Sequence, residues 1–300
     1  MVRIRKSYTV KKQTMSRGVT KEQNNKSTEK YNDPTTWRIY KGAWIFLEES
    51  KEKILSGEES KEILKNGGLM IRNTYDFDTK EETSFWYVIK DKLEDISELP
   101  FSSRRNIRRA HKFYNFTKTN KKTIIDNCYD ILLSRQKSYR VKSKIMTQKE
   151  FISMLEEYEN ENITDYWIIE KKDTNEIVGF SINRLKGNSC DYDFMSCKPE
   201  SLRNRTYPYY GLIYEMNRHY LGENKLRYVS DGSRSITEHS NIQSFLIHNF
   251  KFRKAYCKLK VYYKWWFGVV VKMLFPFRNI IPLRNVRAIL MMEEYSRSFE

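Results

Sequence analysis

Between Tyr166 and Tyr262 the spacing of apolar residues changes period several times, and the points of change outline a fold. Two alternating runs, Trp167 to Lys171 and Ile177 to Leu185, flank Asp173-Thr174-Asn175-Glu176, polar residues that bend a backbone at low cost, so the pair reads as a hairpin. Lys186-Gly187-Asn188 supplies a second turn. Ser189 to Cys197 alternates again, which predicts Tyr192 and Phe194 on one side and Asp191 and Asp193 on the other. The expectation is three antiparallel strands with one greasy and one acidic surface. Beyond them the period lengthens to that of a helix, with Leu212, Ile213, Met216 and Tyr220 on one face and Gly222 where a left-handed residue would close it. Leu226 to Ser230 returns to strand. Ser240-Asn241 then offers a helix start ahead of Ile242, Phe245, Leu246 and Asn249. Phe252 to Tyr262 is a long strand, with Ala255, Cys257, Leu259 and Val261 inward and Lys254, Lys258 and Lys260 outward.

Upstream, Trp37, Tyr40, Trp44 and Phe46 lie close together. Ser60 to Lys65 reads as a short helix closed by Gly67-Gly68, Leu69 to Asn73 as an apolar strand, and Phe85-Trp86-Tyr87-Val88-Ile89 as a buried one. These elements suggest a small α/β lobe over 33–100. Ser102 or Ser103 can cap a helix that turns Ile107, Ala110 and Tyr114 inward and leaves Arg104, Arg105, Arg108, Arg109 and Lys112 as a basic face. Five cations on one helix repel one another, so the face is either solvated or relieved by an anion such as phosphate or tRNA. Ile124 to Tyr139 and Thr147 to Tyr158 are amphipathic helices, the second opened by the capping box Thr147-Gln148-Lys149-Glu150.

The two ends differ from this middle. Residues 1–32 are rich in Lys, Ser, Thr and Asn, too poor in apolar side chains to offset ordering entropy, and read as a basic tail, either a tether for nucleic acid or lipid or a solvated extension. In 263–300 the run Trp265-Trp266-Phe267-Gly268-Val269-Val270-Val271 is followed by Lys272 and then Met273 to Arg278. It is short of the ~20 residues that cross a bilayer. Interleaved aromatics and cations fit a segment lying on an anionic membrane surface, and the alternative is packing on the chain's own N-terminal lobe.

Composition narrows the classes. Three hundred residues with 39% hydrophobic content suit one enlarged domain or two small ones, while a mean hydropathy of −0.74 and 31% charged residues argue against a membrane bundle. The formal charge of +17, much of it between Phe101 and Glu150, attracts phosphate as nucleic acid, nucleotide cofactor or lipid headgroup. Cys128, Cys190, Cys197 and Cys257 show neither Cys-x-x-Cys spacing nor nearby clustered histidines, so no metal site or disulfide framework is indicated. A cytoplasmic setting follows, at the inner face of the membrane if the C-terminal segment is interfacial. Nothing in the pattern fixes an oligomeric state.

The element order, together with SNIQSFLIHNFKFRKAYCKLKVYY, in which Asn241 opens the last helix and Phe252 the next strand, resembles the GNAT superfamily of acyltransferases. LPFSSRRNIRRAHK resembles the Arg-rich helix of Fem-type aminoacyl transferases, which share that fold. The resemblance implies an α/β (α+β) fold with a mixed, mainly antiparallel central sheet flanked by helices, the acyltransferase domain falling over 101–262. It implies direct attack of an amine on an acyl donor. The donor would be acyl-CoA, acetyl-CoA foremost, and the acceptor a small-molecule or lipid-linked amine such as an amino sugar. The Fem likeness implies aminoacyl-tRNA instead, and no metal in either case. Arg135, Tyr139 and Arg140 lie where such domains cover the acceptor. A catalytically silent module that binds nucleic acid or anionic lipid is the remaining reading.

The resemblance also assigns candidate roles. Asp193 is the first choice for general base because the family draws its base from that strand, whereas Asp191 is more simply a partner for Arg184 or the outer lysines. Asp231-Gly232-Ser233-Arg234 ends the next strand, where ligands settle in open α/β sheets: Asp231 as base, Gly232 for close approach, Arg234 for a phosphate, His239 as proton shuttle. Read blandly, the same residues are an ordinary turn. Family members that bind acyl-CoA carry Gln or Arg, two residues, Gly, one residue, then Gly or Ala ahead of a helix. Here Arg203 to Gly211 holds a single glycine, and Arg203 and Arg205 stand in for the missing donors, with Asn241 as a further donor contact. The family's general-acid tyrosine is absent, and Ile247 and His248 occupy its neighbourhood.

Overall fold

The computed structural model describes residues 37–40, 42–46, 54–138, 145–159, 163–236 and 241–298. In chain order these form β1 (Trp37–Tyr40), β2 (Ala43–Phe46), α1 (Gly57–Lys65), β3 (Met70–Thr79), β4 (Phe85–Lys90), α2 (Phe101–Phe113) and β5 (Tyr114–Thr119). Next come α3 (Lys121–Asn127), α4 (Tyr129–Ser138), α5 (Gln148–Glu159), β6 (Thr164–Lys171), β7 (Ile177–Lys186) and β8 (Ser189–Cys197). The remainder is α6 (Pro199–Arg203), α7 (Pro208–Asn217), β9 (Tyr228–Ser233), α8 (Asn241–Phe250), β10 (Arg253–Tyr263), α9 (Trp265–Leu274) and α10 (Arg284–Arg297). The residues 1–32 lie outside this description.

The ten strands make one sheet in the order β1-β2-β3-β10-β4-β9-β8-β7-β6-β5. Neighbours are antiparallel except β2–β3 and β8–β9. Strands from the N-terminal segment join this same sheet, with β10 lying between β3 and β4.

Alternation along each strand assigns residues to two helical layers. On β6, Tyr166 and Ile168 pack with Ile124, Ile131, Phe151 and Leu155 of α3, α4 and α5. Trp167 and Ile169 join Ile107 of α2, Leu212 and Met216 of α7 and Leu246 of α8 on the other face. A third cluster joins β4 and β10 through Phe85, Tyr87, Ala255, Cys257 and Leu259 to Tyr295 of α10. The four cysteines are buried and free, and burial pushes the thiols of Cys128 and Cys197 up to about 12, which leaves them un-ionised at neutral pH.

Local signals account for most boundaries. Ser56 and Glu59 form a capping box on α1, and Thr147 and Glu150 form the one expected on α5. Three expectations change. α2 begins at Phe101 behind Pro100 with no side-chain cap, and Ser103 is instead buried, donating to Asn249 Oδ1 at 3.2 Å. The long helix expected from Ile124 is two helices, α3 and α4, that meet at Cys128. Gly222 does not close α7 in a left-handed turn: the helix runs on through a π-turn, Arg218–Glu223, and a Cβ on Gly222 would lie 2.9 Å from Leu93, so the glycine is needed for close packing. The left-handed residue is Lys225, at φ 54°.

That π-turn delivers Tyr220 to a buried polar cluster. Its hydroxyl accepts from Trp167 Nε1 at 3.0 Å and Asn183 Nδ2 at 3.1 Å and donates to Asp165 Oδ2 at 3.1 Å. One oxygen thus ties the end of α7 to β6 and β7. Tyr220→Phe strands two buried donors and should cost about 1–3 kcal/mol per orphaned group, read as a lower urea midpoint with unchanged slope.

Candidate active site

β8 and β9 run side by side for only three residue pairs, Ser189↔Tyr228, Cys190↔Val229 and Asp191↔Ser230. Past them β8 continues with β7 as far as Cys197, and β9 continues with β4 as far as Ser233, so the two strands part and leave a gap. Each strand carries an extra residue at that level. Tyr192 and Asp193 together oppose Asn183, between the pairs Arg184↔Asp191 and Ile182↔Phe194. Asp231 and Gly232 together oppose Val88, between Ile89↔Ser230 and Tyr87↔Ser233. A bulge bends its strand and re-aims its side chains, which explains both the parting and the direction of the acids. Gly232 takes φ +80°, and a Cβ there would meet nothing within 4 Å, so the backbone at the gap is open to a ligand.

The bulge in β8 corrects the expected alternation. Tyr192 packs against Tyr220 and Phe252 on the α7 side, whereas Phe194 stacks on Phe180 on the α3–α5 side, 5.7 Å between ring centroids. Nor is there an acidic outer surface. Asp191 is ion-paired to Lys186, and Asp193 Oδ2 lies 3.2 Å from Arg184 Nη2, both cations coming from β7 with side chains 5% and 4% exposed. Asp231 differs. Among the described residues it has no cationic partner, only a hydrogen bond with the Gln243 side chain, which α8 also uses to hold Ser233 O at 3.0 Å and the Ser235 N–H at 3.2 Å. Desolvation first, then the charges of Asp191 and Asp193, push the Asp231 carboxyl up to about 7. A carboxyl poised near neutrality at an open gap is what general acid–base work requires.

The other expected site residues are distributed differently. Arg234 lies between two rings, its guanidinium carbon 4.1 Å from the centroid of Trp86 and 4.5 Å from that of Tyr295, and Nη1 donates to Ser84 O at 2.6 Å. Its charge is thus engaged within the protein. Arg203, the last residue of α6, and Arg205, on the turn to α7, are exposed. Gly211 is buried, and a Cβ there would lie 2.1 Å from Phe116 Cζ, so the missing side chain admits a ring of β5. At the start of α7, Pro208 has no N–H, Tyr207 is left-handed at φ 58°, and the Tyr210 N–H is spent on Tyr207 O at 3.0 Å. Such an end does not offer the run of free amides that cradles the pyrophosphate of CoA. Asn241 is the first residue of α8, and His248 is exposed with Nδ1 against Ser244 O. His239, Tyr139 and Arg140 fall outside the described residues.

One feature escaped sequence reasoning. Asn249 Oδ1 accepts from Ser103 Oγ at 3.2 Å and Tyr210 Oη at 3.0 Å, joining α2, α7 and α8 at one point. These bonds seat the inner face of α2 on α7 and α8, while on its outer face Arg104, Arg105, Arg108, Arg109 and Lys112 line a shallow depression between Phe101 and Phe113. Among the described residues no group of three or more His, Cys, Asp or Glu side chains is arranged to hold a metal.

From β5 to β10 the order is strand, helices, three antiparallel strands, two helices, a strand parallel to the last, helix, strand. That order, with β8 parallel to β9 and then parting from it, is the GNAT-like order expected from the sequence. Similar solved structures include FemX (TM-score 0.49, 11% identity, covering 66% of this chain and 73% of that one). Also similar are L-PGS from Bacillus licheniformis (0.45, 10%, 87% and 85%) and a tandem GNAT protein from the clavulanic acid biosynthesis pathway (0.38, 10%, 68% and 66%). No family model matches the sequence, and no curated protein matches it significantly.

Two predictions follow from the geometry of this GNAT-like core. The folded state holds on Asp231 a proton that the unfolded chain releases near pH 4, so stability is present at low pH and is lost as pH rises from about 4 to about 7. At about 1.4 kcal/mol per unit the loss is at most ~4 kcal/mol, an upper bound because Asp231 keeps part of its surface exposed. Asp231→Asn should therefore be more stable than the parent at pH 8, and urea melts at pH 4.5 and 8 should show a flatter pH dependence. Gly211→Ala should cost about 1–3 kcal/mol through overpacking, with partial recovery in the double variant Gly211→Ala, Phe116→Leu.

Proposed function

We propose that this protein transfers an acyl group from an activated ester to a primary amine, with Asp231 as general base. The observation that carries the reading is the carboxyl at the parting of β8 and β9, raised to about 7 and without a cation of its own among the described residues. At neutral pH a useful fraction is ionised and still basic enough to take a proton from an amine. The amine nitrogen, losing that proton to Asp231, bonds to the acyl carbon. The bond from that carbon to the donor oxygen breaks, and Asp231 returns the proton to the leaving oxygen. Positioning of the two substrates supplies most of the acceleration, about 7–11 kcal/mol in favourable cases, and the base a further 10²–10⁴-fold. Lys186 and Arg184 hold Asp191 and Asp193 as ion pairs, which leaves Asp231 as the acid free to exchange a proton.

For the donor, the start of α7 favours an aminoacyl ester of tRNA over acyl-CoA. The helix end lacks the amides a pyrophosphate needs, while the five cations of α2 line one basic face suited to a polyanion. The acceptor is an amine, small or lipid-linked.

Thermal shift separates the donors. A donor at about 100 times its dissociation constant adds roughly 2.7 kcal/mol, which for a chain of this size raises Tm by about 5–10 °C. A charged tRNA should produce that shift and acetyl-CoA none, and the reverse result would transfer the reading to acyl-CoA. With a turnover assay in hand, Asp231→Asn should lower kcat by about 10²–10⁴-fold, and log kcat/KM should rise with pH and level off near 7. Full activity in Asp231→Asn would remove the base. Silence towards both donors would favour a non-catalytic binding module.

A further inference from the structure

α9 turns an apolar face to solvent. Trp265 is 83% exposed and Met273 69%, with Trp266, Val269 and Val270 between them, and the turn that follows adds Phe277 at 54%. Ile280 and Leu283 extend the patch at 75% and 65%. The helix is firmly seated. Val271 is buried, Tyr263 and Phe267 meet ring to ring at 5.9 Å, and a Cβ on Gly268 would lie 3.2 Å from Tyr263 Cβ. Behind it, α10 is bonded to the sheet through Ser296 Oγ, which accepts from the Val261 N–H at 3.2 Å, and through Tyr263 Oη to Glu293 at 2.8 Å. A contiguous exposed patch on a fixed scaffold marks an interaction site.

Charge identifies what covers it. Between Glu238 and Glu293 the sequence contains no acidic residue. Lys264, Lys272, Arg284 and Arg287 border the apolar face and, among the described residues, make no ion pair; Arg278 and Arg297 are partnered, by Glu294 and Glu293. A second copy of the chain would bring these cations face to face. A surface that is apolar within and anionic at its rim complements them, and that description fits a bilayer with acidic headgroups. Ten residues of helix reach about 15 Å against a hydrocarbon core of ~30 Å, so α9 lies in the boundary rather than crossing it. The paired tryptophans at one end suit that boundary.

We propose that α9 and the turn after it seat this protein on an anionic membrane, the apolar face of α9 entering the headgroup boundary and the four cations meeting lipid phosphates. β8, β9 and β10 point the same way, since β8 is parallel to β9 and both β9 and β10 are antiparallel to β4. α9 therefore leaves the sheet at the edge toward which β9 runs, beyond the level of Asp231: Ser233 and Ala255 both pair with Tyr87, and β10 continues from there to Tyr263. The stretch after β9 is tied to the helical pair through Arg234 on Tyr295 and through Ile236, which packs on the same cluster as Met291 and Met292. Seated in this way, the protein turns that edge to the lipid, and the acceptor is an amine carried at the membrane surface. This last clause rests on the acyl-transfer reading; the docking does not.

The test is co-sedimentation of the full chain with vesicles of equal parts phosphatidylglycerol and phosphatidylcholine, and with phosphatidylcholine alone. Binding to the mixed vesicles should exceed binding to neutral ones at least ten-fold and weaken with salt. Trp265→Ser with Trp266→Ser and Met273→Ser should lower it at least ten-fold while leaving the thermal melt unchanged, because these side chains are exposed. Lys264→Glu with Lys272→Glu should remove the preference for phosphatidylglycerol, and Arg105→Glu with Arg109→Glu on α2 should leave most of it. Absence of binding, or binding lost through the α2 variant and not the α9 variants, overturns the proposal. So does concentration-dependent self-association abolished by the serine variant, which would assign the patch to a second copy. Binding that survives in Asp231→Asn, alongside failure of every donor, would uphold the docking while the acyl-transfer reading fell.

Discussion

Parallel pairing between β8 and β9 that ends after three residues is the constraint on which the rest of the molecule turns. A sheet normally continues its hydrogen bonds to the end of its strands, because unpaired backbone groups away from water are costly. Here both strands leave the pairing at once. Each does so at a bulge, and each turns instead to its outer neighbour, β7 on one side and β4 on the other. The opening is thus built from regular structure, and its walls are held by strands rather than by loops.

Electrostatics at the opening follow from the count of charges in it. Three carboxylates, Asp191, Asp193 and Asp231, share the region with two cations, Arg184 and Lys186. The two pairs formed along β7 and β8 leave one acid over, and burial together with its neighbours' charge favours its protonated form. Stability is sacrificed at that one position, as is common where a group must change protonation state in use. Among the described residues, unpaired positive charge lies elsewhere, on the outer face of α2 and around α9.

Much of this was legible in the sequence because hydrophobic period reports directly on which side of an element faces the core. The hairpins through β6, β7 and β8, the strand β10 and the basic face of α2 all came from spacing alone. The failures share a cause, which is that each depends on contacts far apart in the chain. Tyr192 and Phe194 look equivalent until a bulge opposite Asn183 separates them. Gly211 reads as part of a donor loop until Phe116, ninety-five positions earlier, is seen against it. Arg234 looks free until Trp86 and Tyr295 enclose it, and Gly222 looks like a helix stop until Leu93 approaches. The strand β5 went unread because Tyr114 fits the apolar face of α2 equally well. At the gap itself, sequence ranked Asp193 ahead of Asp231, and the pairing of Asp193 with Arg184, together with the burial of Asp231 without a cation among the described residues, favours the reverse order.

The ionisation of Asp231 is the most direct gauge of this account. A ¹³C NMR titration of protein labelled at the aspartate side-chain carboxyl, with Asp231→Asn to assign the resonance, should find a midpoint near 7. A midpoint near 4, the value of an aspartate in water, would mean that the gap is wet and its charges unfelt, and the general base would be lost with it.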